Sequence, residues 1–269
     1  MQSNGVSPLL CTRYASLTAC SPLLNLVLIK EVNVPPLLTP EQLDELRQLT
    51  TPTIANAIEC FNIRPRNQGF MTPDIRCMFP DLGTMVGYAV TARMQANVPA
   101  AGNMTTSTAQ YWEYVLTMPA PRIAVIQDFD ERPVGSLWGD VNASIHRALG
   151  VIGVVTNGGV RDLDGVHKTG FHFFAREVLV SHAYNHLVDF GTSVEVGGLT
   201  IRPGDLLAAD RHGVIHIPAE IAAEVAAVGR TIDELEMEII SYCQSRGFTP
   251  QGLARVRESV AARWPKPRG

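Results

Sequence analysis

Lysine is nearly missing from this chain. Three occur in 269 residues, Lys30, Lys168 and Lys266, and two of them lie near the ends. An enzyme working through a Schiff base would have to rely on Lys168. Cysteine is sparse as well. Cys11, Cys20, Cys60, Cys77 and Cys243 are odd in number and never spaced as CxxC. That argues against a disulfide framework and a thiolate zinc site, and it points to a reducing, cytoplasmic setting. The apolar runs fall far short of the roughly 18 residues of a transmembrane helix, so no membrane partner is expected. There is no basic excess: the formal net charge is −4, which speaks against a nucleic-acid partner. No GxSxG, P-loop or HExxH pattern occurs, and no glycine-rich loop precedes an acid at nucleotide spacing.

What remains is an ordinary globular composition, 46% hydrophobic and 18% charged, in a chain long enough for one good core with an appendage. Residues 1–38 are set aside as an N-terminal extension, expected to be flexible. Leu23–Ile29 is mildly apolar but lacks the basic flank of a signal peptide. Residues 39–248 are read as a single α/β domain and 249–269 as a C-terminal tail with one more helix.

Thr39-Pro40-Glu41-Gln42 has the cap, proline and glutamine of a helix start. Thr51-Pro52 repeats the device before the apolar face Ile54, Ala57, Ile58 and Phe61. A loop over 62–73, a strand over Thr84–Met94 and a helix over Met104–Met118 follow. Ile123–Ile126, Val141–Leu149 and Val151–Val155 form a strand, helix and strand, a βαβ unit. Gly158-Gly159 and Arg161-Asp162 are placed in the loop after it. A short helix to Lys168 closes at Gly170, and Phe171–Arg176 is the next strand. Two hairpins over 192–201 and 206–217 make the sheet mixed, and a long helix runs from Pro218 to about Arg246.

The chemistry gathers at the two loops of the βαβ unit, because ligands of open α/β sheets bind at the carboxyl ends of strands. The first-turn amides after Gly139 suit a carboxylate. Arg161 can clamp a carboxylate or keto oxygen bidentately. Asp162, with Asp140 from the neighbouring loop, can hold Mg²⁺ or Mn²⁺ among waters. Each has a plain alternative: Asp140 or Asp162 as a helix cap, Arg161 in a surface ion pair. His182 and His186, four apart, could share a helix face and are read as surface or supporting groups. His212 and His216 are read as structural.

As a set, Gly139-Asp140-Val141-Asn142, Gly153-Val154-Val155, Gly158-Gly159-Val160-Arg161-Asp162, Val196-Gly197-Gly198, Arg202-Pro203-Gly204-Asp205 and Asp210-Arg211-His212-Gly213-Val214 resemble one family. It is the family of 4-hydroxy-4-methyl-2-oxoglutarate aldolase and the regulator of ribonuclease activity A. The resemblance covers about residues 50–240. It implies an α/β/α sandwich with a mixed sheet, related to swivelling phosphohistidine domains, assembled as a homotrimer or dimer of trimers. It implies substrate binding by Gly139, Asp140, Val141, Asn142 and Arg161, catalytic roles for Arg161 and Asp140, and a divalent metal, Mg²⁺ or Mn²⁺, on Asp162. An acid from a neighbour's long helix, Glu234, Glu236 or Glu238, would complete the site. The implied activity is a metal-dependent lyase that cleaves a small 4-hydroxy-2-keto acid to pyruvate, with oxaloacetate decarboxylation beside it. The alternative is a non-catalytic trimer that binds a ribonuclease. Asn142 is polar where many members are apolar, which points to a different keto acid.

Overall fold

The computed structural model describes residues 37–101 and 106–266. Helices α1 (Pro40–Arg47) and α2 (Thr51–Glu59) come first, then strands β1 (Arg76–Cys77) and β2 (Met85–Gln95). The centre of the chain is α3 (Thr108–Thr117), β3 (Arg122–Asp128), β4 (Ser136–Trp138), α4 (Asp140–Ala148), β5 (Val151–Val160), α5 (Leu163–His167) and β6 (His172–Val178). The last part is β7 (His186–Phe190), β8 (Val194–Val196), β9 (Leu199–Ile201), β10 (Leu206–Asp210), β11 (Gly213–Ile217), α6 (Ala222–Cys243) and α7 (Pro250–Arg263). Residues 1–36 of the predicted extension 1–38 and the helix start at Met104 lie outside the described residues, while the Leu38 amide donates to the Tyr88 hydroxyl at 2.9 Å.

Local chemistry explains the helix starts. Thr39 and Gln42 form a reciprocal capping box, and Thr50 accepts from the Thr53 amide, each ahead of a proline in the first turn. In the β8–β9 turn, Gly197 and Gly198 both take positive φ, 55° and 71°, as a tight hairpin requires.

Among the described residues nine strands form one mixed sheet, in the order β1-β6-β5-β3-β2-β10-β11, with β4 on β5 and β7 on β2. Its centre, β2-β3-β5-β6, is parallel, and β10, β11, β1 and β7 join antiparallel. Alternation along β2 sorts the core. Val86 and Tyr88 pack under α1, α2 and α6, while Val90, Ala92 and Met94, on the same face, pack with residues of α3, α4 and α5. Met85 and Ala89 point the other way, onto Val194, Val196 and Ile201 of the β8–β9 hairpin. In the expected three-layer arrangement this hairpin supplies the layer on the second face. Helix α7 lies along α6, tied by Arg263 to Glu238 at 2.6 and 2.8 Å, so Glu238 is already engaged. No helix among the described residues is long and apolar enough to cross a membrane.

The long helix starts at Ala222 rather than Pro218, and a boundary nearer the site differs too. Strand β5 does not stop at Val155 but runs through both glycines to Val160. Here glycine serves close packing rather than a turn. A Cβ on Gly159 would lie 2.3 Å from Leu179 Cδ1, and one on Gly158 would lie 2.9 Å from Asp128 Oδ2.

Candidate active site

Because β5 ends at Val160, Arg161 and Asp162 sit at the carboxyl edge of the parallel strands, beside β4 and the start of α4. The Arg161 amide donates to Trp138 O at 2.9 Å, which holds the two segments together. Between them lies a cleft of about 250 Å³. Gly139, Asp140, Val141, Asn142, Arg161 and Asp162 all line it.

Asp162 is held in the left-handed region, φ 57° and ψ 38°. Asp tolerates this conformation better than most residues, at a cost of about 1 kcal/mol. Although it occupies the cap position of α5, its side chain caps nothing. Its Oδ2 instead reaches back to Arg161 Nε at 3.5 Å and to the Asp140 amide at 3.4 Å. Its Oδ1 has no hydrogen bond among the described residues. Gly139 makes room for it, since a Cβ there would lie 2.3 Å from Asp162 Oδ2.

Gly139 is the N-cap of α4 in an extended conformation, without a side-chain cap. Asp140 does not cap the helix from outside either. It is the first helical residue, and its Oδ1 accepts from the Val141 amide at 2.7 Å. Two carboxylates of the chain thus take up the Asp140 and Val141 amides at the positive end of the α4 dipole. Asn142 turns its side-chain amide to Leu137 O, while its carbonyl accepts from His146 Nδ1 at 2.7 Å. That bond sets the tautomer and leaves His146 Nε2 as an acceptor, buried and unpaired. Burial pushes the imidazole down to about 4, so it is neutral near pH 7.

No cluster of three or more His, Cys, Asp or Glu side chains suited to a metal exists among the described residues. Tetrahedral zinc, which needs three or four protein ligands, does not fit here. Magnesium keeps several waters and takes one or two carboxylates, which is what Asp162 and Asp140 offer.

Ser136, Leu137 and Asn185 also line the cleft and escaped the sequence reading, while His182, read as a surface or supporting group, lines it as well. His182 and Asn185 come from the loop before β7, and Asn185 Nδ2 donates to Ser136 O at 2.8 Å. No local pattern marks them, because that loop reaches the cleft only through pairing of β7 with β2. His182 and His186 do not share a helix: one lies in this loop and the other opens β7. Lys168 ends α5 in an exposed position and is not part of the lining. His212 packs its ring against buried Asp210, whose carboxylate also accepts from the Thr51 amide and hydroxyl at 2.9 and 2.6 Å. This ties α2 to the β10–β11 turn.

Comparison with known proteins places the site in context. A putative 4-hydroxy-4-methyl-2-oxoglutarate aldolase of Halalkalibacterium halodurans is 31% identical over 84 residues, 31% of this chain and 40% of the relative. The chain spans from about a quarter to half of the length of the curated relatives it matches (26%, 50% and 40%). The structure of an uncharacterized protein from Pseudomonas syringae pv. tomato superposes with a TM-score of 0.64 at 27% identity, covering 85% of this chain and 99% of that one. Streptomyces coelicolor RraAS2, described as an unusual member of the RNase ES inhibitor RraA family, superposes at 0.58 with 21% identity, covering 76% and 96%; this likeness concerns the fold alone. The sequence profile of one family, RraA-like (Aldolase/RraA), matches residues 51–216, which include the whole cleft. The chain therefore belongs to the RraA-like family, which holds both aldolases and ribonuclease inhibitors.

Proposed function

We propose that the chain is a divalent-cation-dependent lyase that releases pyruvate from a 4-hydroxy-2-keto acid, with oxaloacetate decarboxylation as a side activity. The observation that carries this reading is Asp162. It is held in a left-handed conformation, leaves its own helix uncapped, and reaches Arg161 and the start of α4 in the lining of the cleft. A regulator that only binds another protein has no use for that cost.

In this reading the first-turn amides of α4 and the Arg161 fork bind the substrate carboxylate and keto oxygen. A Mg²⁺ or Mn²⁺ ion on Asp162 would supply a Lewis acid for the keto oxygen. Asp140 takes the 4-hydroxyl proton as C4–O becomes a carbonyl. The C3–C4 electron pair moves onto C3, Arg161 offsets the charge growing on the enolate oxygen, and a proton returned to C3 completes pyruvate. The same enolate follows when oxaloacetate loses carbon dioxide. A homotrimer or dimer of trimers, with an acid from a neighbour beside the cleft, belongs to the same proposal.

A coupled pyruvate-release assay over a panel of 4-hydroxy-2-keto acids and oxaloacetate, with Mg²⁺ or chelator, tests it. Turnover with Mg²⁺ that chelator abolishes is expected. No pyruvate from any substrate, together with capture of a ribonuclease, would overturn the reading in favour of a regulator.

A further inference from the structure

A second chamber of about 230 Å³ adjoins the cleft and shares Leu137, Asn142 and Asn185 with it. Its own walls include Tyr111 and Trp112 from α3, His146 from α4, and Leu187 from β7. The two chambers contrast in charge. Asp140, Arg161 and Asp162 line the first, whereas among the described residues no Asp, Glu, Lys or Arg lines the second, whose lining includes His146 and the half-buried His186. Its only buried titratable base, His146, is kept neutral by burial.

Two polar atoms in this wall are unsatisfied. The Tyr111 hydroxyl and His146 Nε2 are buried without a hydrogen-bond partner, on residues 2% and 3% exposed whose rings lie 5.7 Å apart. Both atoms lie under the chamber surface, as does Trp138 Nε1, whose ring is 4.5 Å from that of His146. The lining offers a carboxylate no guanidinium or ammonium partner, and burying an unpaired carboxylate is far costlier than burying a ring or alkyl group.

We infer that this chamber receives the half of the substrate beyond the cleaved bond, and that this half is uncharged, with an aliphatic or single-ring body. The inference rests on the lyase reading of the adjoining cleft. The substrate class is then a 4-hydroxy-2-keto acid with a neutral C4 substituent. Breaking C3–C4 leaves the electron pair on C3, the 4-hydroxyl loses its proton as the C4 carbonyl forms, and C3 gains a proton. The products are pyruvate and a neutral aldehyde or ketone, and no redox partner is needed. Asn142, shared by both chambers, stands at their junction.

The test compares kcat/KM for 4-hydroxy-2-oxo-4-phenylbutanoate and 4-hydroxy-4-methyl-2-oxoglutarate on the full chain with Mg²⁺. Exchange of the pyruvate methyl protons in D₂O, followed by NMR, serves as a separate readout of the first cleft alone. The expected result is exchange, with the neutral substrate preferred by at least about tenfold. Thr108→Arg, an exposed position in the chamber wall at the start of α3, should move that ratio toward the dicarboxylate by about tenfold or more. Exchange with equal or better cleavage of the dicarboxylate would overturn the chamber assignment and leave the lyase reading standing. An unmoved ratio in Thr108→Arg would overturn it as well. Neither exchange nor cleavage would overturn both.

Discussion

The Asp162 carboxylate occupies the space that a side chain on residue 139 would need: a Cβ on Gly139 would lie 2.3 Å from Asp162 Oδ2 and 3.3 Å from Arg161 Nε. The backbone of Gly139, φ −145° and ψ −166°, is open to any residue. Alanine there meets a steric conflict without a backbone one. Gly139→Ala is therefore expected to shift Asp162 and lower kcat/KM for pyruvate release by about 100-fold, the usual result of misplacing a group by an ångström. The melting temperature should change by only a few degrees. An unchanged kcat/KM would show that the position of the Asp162 carboxylate does not matter.

Asp162→Asn separates charge from shape. Asparagine tolerates the left-handed conformation nearly as well as aspartate, so the fold should persist with stability within about 1 kcal/mol of the parent. The amide cannot replace a carboxylate toward a hard cation, so Mg²⁺ binding by calorimetry and pyruvate release should both fall by at least about two orders of magnitude. Retained turnover in the presence of chelator would remove the cation from the proposal.

How much of this was legible in the sequence depends on how local the cause is. The capping threonines with their prolines, the Gly197-Gly198 turn and the weak alternation over Thr84–Met94 are local devices, and they marked elements the structure contains. Gly158 and Gly159 misled, because glycine that permits close packing against Asp128 and Leu179 looks the same as glycine that permits a turn. Strand β4 is three residues long and owes its existence to pairing with β5. Strand β7 likewise exists through β2, and with it come His182 and Asn185. The loaded residues around 140 and 161 stood out because two sequence-adjacent crossovers bring them together. Their lateral neighbours, Tyr111 above all, arrive through tertiary packing that no spacing announces.

Arg161→Lys keeps the positive charge and removes the planar fork. Lysine binds as a point charge and loses the second parallel hydrogen bond to a carboxylate. KM for the keto acid should rise and kcat should fall, together lowering kcat/KM by about 100-fold, while the fold is kept because Arg161 is tied to Trp138 through its backbone. A variant with parental kcat/KM would mean that Arg161 does not contact substrate.

Asp128 is a stability determinant with an unusual sign. It ends β3, is 3% exposed, and its Oδ2 has no partner. Burial raises its pKa from 3.8 to about 6, against the pull of the Asp130 amide on Oδ1. A carboxyl whose folded pKa is raised favours folding in its protonated form. Its contribution is full below pH 3.8 and is lost as pH climbs through about 6. A shift of about two units corresponds to about 3 kcal/mol as an upper figure. His146 and His172 act in the opposite sense, since burial lowers both to about 4 and their contribution disappears as pH falls from 6.5 toward 4. The parent's pH profile therefore mixes both signs, and the informative quantity is the difference between parent and Asp128→Asn. Asparagine can keep the acceptor for the Asp130 amide and cannot ionise. Urea unfolding should find Asp128→Asn more stable than the parent by about 1–3 kcal/mol at pH 8, with the gap closing by pH 4. A gap that stays constant between pH 4 and pH 8 would show that Asp128 does not titrate in this range in the folded protein.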